Sequence, residues 1–212
     1  LIWTTGNITK KVLRTKKKIM VVGSNKNNNY SIIPKFKFNN KKRINCLVVP
    51  EGIDSECELM FKFSLDCAIK IPGIQFIWRL HPLINFEFLR SKYNVFKYLP
   101  SNITISKKTK ILDDIKKSHL CFYRGSSAII NVLSCGVYPI YLNLKNKLNI
   151  DPTFPLNTWK TNINSVKEFE IFFHKKFINK YSMDNHRLKA INYARSYFKK
   201  FDQNKVINYI KN

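Results

Sequence analysis

Between residues 44 and 142, short apolar runs alternate with segments of helical periodicity, and this alternation constrains the fold more than any other feature. The apolar runs have the length of ordinary strands, and the run at 74–80 is interrupted only by Gln75 and Arg79. Such runs are typical of parallel strands that are covered on both faces. Four strand–helix pairs and a closing strand therefore predict an α/β protein with a doubly wound parallel sheet and right-handed crossovers.

The last repeat, residues 120–142, carries the most informative turn. Four residues follow its apolar run: Arg124, Gly125, Ser126 and Ser127. We expect the serines to cap a helix that begins near Ala128 and Gly136 to end it. Open α/β sheets bind phosphorylated ligands at such turns, where backbone N–H groups and hydroxyls are free. The turn is therefore a candidate anion site, and a capped turn without a ligand is the alternative.

Two other predicted strands also end in polar or turn-forming residues. These residues are Glu51 and Gly52 after the first strand, and Arg79, His81 and Pro82 at the end of the second. The turns after neighbouring strands of a doubly wound sheet converge on one crevice, so we expect both sets to face Ser126 and Ser127. Cationic and hydroxyl groups in that crevice favour an anion. For Glu51, a structural role in the turn, ribose binding and catalysis all stay open.

The segments outside the repeats suggest how the chain is divided. Residues 1–43 contain two expected short strands around a helical piece, a polar run and a basic stretch that ends at Arg43. We interpret them as the tail of a preceding lobe and a linker, followed by one domain at 44–212. Because the sequence does not begin with Met, we expect a fragment of a longer protein. Helices after residue 144 are expected to wrap the sheet.

Two sequence patterns predict capping boxes at helix N-termini. Ser55 is followed three residues later by Glu58, and Ser165 is followed at the same spacing by Glu168. In this motif the serine side chain accepts from a backbone N–H of the first turn, and the glutamate reaches back to the chain before the helix. We therefore expect helices to begin directly after Ser55 and Ser165.

The net charge of +25 invites a nucleic-acid interpretation, but its distribution argues against one. The excess is Lys spread over the whole chain, and the aromatic residues fall at core-like spacing and do not interleave with a basic patch. Residues 1–43 are the exception, with twelve Lys or Arg and no Asp or Glu. They form either a solvated basic face or a segment attracted to anionic membrane lipid or a lipid-linked acceptor.

The five cysteines and the absence of several motifs argue against other kinds of site and against a membrane span. No C-x-x-C pair occurs, and each cysteine falls within a predicted strand or helix, so we expect buried thiols, no zinc site and a reducing cytoplasm. The sequence contains no Gly-rich dinucleotide fingerprint and no P-loop. No apolar run approaches the roughly 18 residues of a membrane span.

The two dipeptides His81-Pro82 and Ser126-Ser127, 45 residues apart, carry a family resemblance. In order, spacing and position at strand ends they resemble the CMP-binding half of bacterial sialyltransferases, polysialyltransferases and related capsule transferases. The resemblance covers residues 44–145 and implies one lobe of the GT-B architecture, in which two Rossmann-like lobes meet and the C-terminal lobe holds the nucleotide. It implies transfer of a sugar, CMP-linked sialic acid or a similar acidic sugar, to a surface glycan or lipid-linked acceptor. We expect no cofactor and no metal, because the site groups would supply the positive field, and the basic stretch favours a cytoplasmic location at the inner face of the membrane.

The resemblance also implies roles for individual residues. His81 would stabilise the negative charge that develops on the departing phosphate, assisted by the helix that Ser126 and Ser127 open. Arg79, Pro82, Arg124, Gly125, Glu51 and Gly52 would complete the nucleotide site. The general base of the family belongs to an acidic-acidic-Gly motif of the N-terminal lobe. Pro50-Glu51-Gly52 matches that motif only in part and lies too near His81 to be it.

Several alternatives to a CMP-sugar transferase stay open. CDP-glycerol-type polymer transferases carry a similar His-Pro pair, so the donor class is not fixed by that motif. A sugar-nucleotide epimerase or a non-catalytic sugar-nucleotide-binding domain is a second alternative. A basic nucleic-acid-binding module is the remaining rival, although we expect no nucleic-acid partner.

Overall fold

The computed structural model describes residues 1–26, 30–34, 43–145 and 147–211. The strands in those residues are β1 Ile2–Thr4, β2 Ile19–Val21, β3 Ile44–Val49, β4 Ile74–Trp78, β5 Ile103–Ile105, β6 Leu120–Tyr123, β7 Tyr138–Leu142 and β8 Thr161–Ile163. The helices there are α1 Asn7–Val12, α2 Asp54–Lys70, α3 Phe86–Lys92, α4 Ile111–Ile115, α5 Ala128–Ser134, α6 Val166–Lys175, α7 Phe177–Tyr181, α8 Asp184–Tyr197 and α9 Gln203–Lys211. None of these helices is long and apolar enough to span a membrane.

Six of the described strands form one parallel sheet in the order β5-β4-β3-β6-β7-β8. From β3 the chain moves outward through β4 to β5, and it then returns to the other side of β3 with β6 and continues outward to β8. The predicted doubly wound sheet is therefore confirmed. The direction of winding changes between β3 and β6, which are paired side by side with Val49 opposite Tyr123. Crevices at such switch points bind ligands in open α/β sheets.

The core lies on both faces of the sheet, because every residue of the strands β6 and β7 is buried. On one of these faces, α2 and α6 pack together. Phe122 of β6 contacts Phe63 of α2 and Phe169 of α6, with ring centroids 5.7 and 4.8 Å apart. Phe61 of α2 stacks on Trp78 at 4.4 Å. All five cysteines are buried and free, as the sequence predicts. Burial raises the pKa of the Cys57 thiol to about 12, which keeps that thiol protonated and unreactive.

The strand β8 was not expected from the sequence, which predicts no strand after residue 144. Thr161–Ile163 pairs in parallel with β7, and the N–H of Asn143 donates to the carbonyl of Ile163 at 2.7 Å. Only Ile163 of its three residues is buried. A three-residue edge strand with one buried side chain has too little apolar periodicity to be recognised.

One predicted capping box is confirmed and the other is wrong. The Ser165 hydroxyl accepts from the N–H of Glu168 at 3.3 Å, and the Glu168 carboxylate accepts from the N–H of Asn164 at 2.9 Å. Ser55, in contrast, lies inside α2, whose N-cap residue is Ile53 without a side-chain cap. Acidic residues in the first turn of α2, one of them Asp54, favour this start because they compensate the helix dipole.

The two serines give a matched pair of substitutions for stability. We expect Ser165→Ala to lower the free energy of unfolding by about 1 kcal/mol, because it leaves an N–H at the start of α6 without its acceptor. Ser55→Ala removes an exposed hydroxyl without such a bond and should change stability by less than about 0.5 kcal/mol. Urea unfolding of both variants measures the difference. Equal effects would contradict the capping assignment.

The N-terminal piece forms a separate two-stranded parallel sheet of β1 and β2. It is joined to the C-terminal segment, where the N–H of Ser24 donates to the carbonyl of Lys199 and the N–H of Asp202 to the carbonyl of Val22, both at 2.8 Å. The expected strands and helical piece of residues 1–23 are thus present. Most of the basic stretch that ends at Arg43 lies outside the described residues, and the boundary between residues 43 and 44 stays a prediction.

Candidate functional site

A cleft of about 660 Å³ opens where the turns after β3, β4 and β6 meet. Every predicted site residue except Arg124 lines it: Glu51, Gly52, Arg79, His81, Pro82, Gly125, Ser126 and Ser127. The cleft has the size of a small-molecule site, for which about 300–1,000 Å³ is usual. The expected convergence of the strand ends is therefore present, and contact with a ligand stays a prediction.

His81 is held in one orientation by the turn that follows β4. The N–H of Leu83 donates to Nδ1 of the ring at 3.3 Å, and the N–H of Ile84 donates to the His81 carbonyl at 2.9 Å. A Cβ at Gly52 would lie 2.6 Å from Nδ1, so the ring packs directly against a residue that has no side chain. Because Nδ1 is an acceptor, this bond assigns the ring proton to Nε2. His81 lines the cleft and in this tautomer carries one ring N–H, at Nε2.

The carboxylate of Glu51 occupies the space that a side chain at position 125 would take. A Cβ there would overlap Oε1 of Glu51 and would lie 2.8 Å from the Ile150 side chain. The carboxylate of Glu51 therefore rests against the backbone of the turn after β6. This arrangement joins the turns of β3 and β6 across the switch point, and it places an acceptor group beside Ser126 and Ser127.

The surroundings of Glu51 disfavour its negative charge. Burial raises the pKa of this carboxyl above its ordinary value of 4.5, the nearby Glu56 raises it further, and Arg124 partly opposes the shift. The folded protein therefore binds this proton more tightly than the unfolded chain does. The resulting stabilisation is complete below the ordinary pKa and is lost as the pH rises through the folded pKa.

This shift predicts how the stability of Glu51→Gln depends on pH. At pH 7 the variant lacks the unfavourable charge, so we expect it to unfold at a higher temperature than the wild type. As the pH falls to 4, the wild-type carboxyl becomes protonated, and the difference in unfolding temperature between the two proteins should shrink. Thermal unfolding of both proteins across this range measures the effect. A difference in unfolding temperature that stays constant or grows towards pH 4 would contradict the raised pKa of Glu51.

Both predicted arginines are engaged in structural ion pairs. Arg79 donates to Asp114 at 2.6 Å and to the carbonyls of Lys108 and Thr109 at 2.9 and 3.0 Å. Arg124 is 2% exposed, and it donates to Glu56 at 2.9 Å and to the carbonyl of Leu148 at 3.0 Å. The structure therefore does not bring Arg124 to the cleft. Arg79 borders the cleft with its charge already neutralised.

The expected capping by Ser126 and Ser127 is wrong. Ser127 is the N-cap residue of α5, but its backbone is helical, with φ −65° and ψ −10°, and no side-chain cap bond forms. Side-chain caps usually need an extended backbone at that position. The Ser127 hydroxyl instead accepts from Nζ of Lys26 at 3.0 Å. Lys26 and Tyr30 also line the cleft, and nothing in the sequence marks these two residues as part of it.

Comparison with known proteins identifies the fold. No family model and no curated protein matches the sequence. Among solved structures, the chain is similar to the glycosyltransferase SnogD from Streptomyces nogalater, with a TM-score of 0.54 and 12% identity over 93% of this chain and 52% of that one. It is also similar to the glycosyltransferase of kitacinnamycin, with a TM-score of 0.53 and 11% identity over 86% and 45% of the two chains.

A third similar structure is CalG4, the calicheamicin glycosyltransferase, with a TM-score of 0.53 and 11% identity over 84% of this chain and 43% of that one. The chain thus spans about half the length of the three solved glycosyltransferases. At these identities the likeness concerns the fold alone. With its parallel sheet wound in both directions from β3, the chain has the Rossmann-like fold of a GT-B glycosyltransferase lobe.

Proposed function

We propose that this chain is the donor-binding half of a glycosyltransferase and that the cleft binds the nucleotide of an activated sugar. The observation that carries the proposal is that His81, Ser126 and Ser127, far apart in the sequence, line one cleft at the switch point of the sheet. The donor is a CMP-linked sialic acid or a similar acidic sugar, in keeping with the two dipeptides. The sugar passes to a surface glycan or lipid-linked acceptor.

The proposed chemistry follows from the charge that develops during transfer. As the bond between sugar and phosphate breaks, positive charge spreads over the sugar ring and negative charge grows on the departing phosphate. The Nε2–H of His81 and the hydroxyls of Ser126 and Ser127 donate to that phosphate. A hydrogen-bond donor that the protein already holds in place lowers the barrier when its hydrogen bond to the phosphate strengthens as the negative charge grows. We assign no general base to these residues.

Glu51 is proposed to bind the ribose. Its carboxylate lies against Gly125 at the switch point, where Rossmann-like folds place acidic side chains against ribose hydroxyls. Its raised pKa is consistent with this role, because burial and the nearby Glu56 disfavour the carboxylate, which hydrogen-bond donors would stabilise. Two ribose hydroxyls would supply such donors.

The basic N-terminal piece suggests where the protein works. Twelve Lys or Arg and no acidic residue in positions 1–43 would attract the anionic inner face of a cytoplasmic membrane, where lipid-linked acceptors lie. We propose a peripheral contact at that surface. The nucleotide site does not depend on it.

Titration calorimetry with CMP, CDP, UDP and cytidine tests the proposed function. We expect CMP to bind and cytidine, which lacks the phosphate, to bind at least about tenfold more weakly. Failure of all the nucleotides to bind would overturn the proposal. Preferential binding of UDP, with turnover of a UDP-sugar in the absence of an acceptor, would favour an epimerase. Binding of a generic oligonucleotide that falls steeply with salt, without nucleotide binding, would favour a nucleic-acid module.

A further inference from the structure

Lys26 reaches the candidate phosphate site from outside the main sheet. Its Nζ donates to the Ser127 hydroxyl at 3.0 Å across 101 positions of the sequence, and it lies 5.4 Å from the centre of the Phe198 ring. The side chain also lines the cleft. It therefore touches one of the two hydroxyls to which the proposed function assigns the phosphate.

The charges around the cleft leave Lys26 as a cation that can balance the charge of an anionic ligand. Arg79 is neutralised by Asp114, and Glu51 contributes a carboxylate. For Lys26, none of the carboxylates in the described part of the chain lies within ion-pair distance. An anionic ligand beside Glu51 needs a compensating positive charge, and Lys26 is placed to supply it.

The hydrogen bond between Lys26 and Ser127 leaves both groups able to bind a ligand. The Ser127 oxygen accepts from the ammonium, so the hydroxyl hydrogen is free to donate elsewhere, and two ammonium hydrogens also stay available. An oxyanion bound to the hydroxyl lies within reach of an ammonium group that is only 3.0 Å from that oxygen. The two donors can therefore hold one phosphoryl group together.

The backbone before Lys26 is fixed by close packing against the C-terminal segment. Gly23 has a φ of +88°, and a Cβ there would overlap the carbonyl of Lys200. The N–H of Ser24 donates to Lys199 in the same region. Only glycine permits this approach of the two backbones. The backbone at residues 23 and 24 thus fixes where Lys26 begins.

We propose that Lys26 is a phosphate ligand of the donor site, sharing one phosphoryl group of the nucleotide with Ser127. This inference rests on the proposed function, because it names a further residue of the same site. It also gives the N-terminal piece a part in donor binding, in addition to any contact that its other lysines make with a membrane.

The test compares Lys26→Met with Lys16→Met, a change of an exposed lysine in the same N-terminal piece. Calorimetry is done with CMP and with cytidine on the full chain. We expect Lys26→Met to weaken CMP binding at least about tenfold, as the loss of a charge-assisted hydrogen bond does, and to leave cytidine binding unchanged. Lys26→Arg should retain most of the affinity for CMP, and Lys16→Met should bind like the wild type.

Each other outcome contradicts a separate claim. If His81→Ala weakens CMP binding and Lys26→Met does not, this inference is overturned and the proposed function stands. If Lys26→Met weakens CMP and cytidine equally, the residue acts on the shape of the site and is not a phosphate ligand. If the wild type binds no nucleotide, the proposed function itself fails. Thermal unfolding verifies that Lys26→Met is folded, as expected for an exposed side chain.

Discussion

Calorimetry of His81→Ala is expected to show CMP binding weakened by about 10- to 100-fold, because the variant lacks the Nε2–H that donates to the phosphate. The ring is held by the N–H of Leu83 and packs on Gly52, so its donor is already oriented before the ligand arrives. Little conformational entropy is then lost on binding, and the bond contributes nearly its full free energy. We expect cytidine binding to be much less affected.

The matched control is His174→Ala, which removes an exposed histidine of α6 that does not line the cleft. This variant should bind CMP like the wild type. His81→Asn, which keeps an N–H donor on a shorter side chain, should recover part of the loss. Wild-type affinity in His81→Ala would refute the role of this side chain in phosphate binding.

The largest expected effect on stability comes from Asp151, which anchors the loop before β8. Its carboxylate accepts from the hydroxyl of Tyr123 at 3.0 Å, from the N–H of Thr153 at 2.8 Å and from Nζ of Lys160 at 2.7 Å. The side chains of Asp151 and Lys160 are only 4% and 8% exposed. Burial, and then the charge of Asp151, raises the pKa of Tyr123, so its phenol stays a donor.

We expect Asp151→Ala to lower the free energy of unfolding by about 3–5 kcal/mol, since it leaves the ammonium of Lys160 buried without its partner. Chemical denaturation measures this loss. The matched control is Glu87→Ala, which breaks an ion pair with Arg90 whose side chains are 73% and 49% exposed. Such a surface pair contributes only about 0–1 kcal/mol.

A double variant separates the unpaired charge from the lost hydrogen bonds. Asp151→Ala combined with Lys160→Met removes both charges, so we expect it to be more stable than Asp151→Ala alone. If the double variant is no more stable than the single one, the buried ammonium is not the cause. A loss below about 1 kcal/mol in Asp151→Ala would contradict the whole account of this network.

The sheet and the position of the cleft were predictable because they depend on local apolar periodicity and on strand order. The apolar runs at 44–49, 74–78 and 120–123 specify buried parallel strands, and the turns after them must then converge. The meeting of positions 51, 81 and 126 can therefore be predicted without knowing any side-chain contact. The edge strand β8 was missed because only one of its three residues is buried.

The details that the sequence did not predict depend on partners far along the chain. Whether Arg79 and Arg124 face a ligand depends on Asp114 and Glu56, whose carboxylates take up both guanidinium groups. The orientation of the Ser127 hydroxyl depends on Lys26, which no pattern links to it. Pairings of this kind arise from tertiary packing and leave no periodic signal.

The central claim is that His81, Ser126 and Ser127 surround one phosphate, and a crystal structure of the chain with bound CMP tests it most directly. We expect the phosphate in the cleft, with its oxygens within about 3.2 Å of Nε2 of His81 and of a hydroxyl at the start of α5. CMP bound with its phosphate away from these groups, or at another part of the surface, would contradict the account.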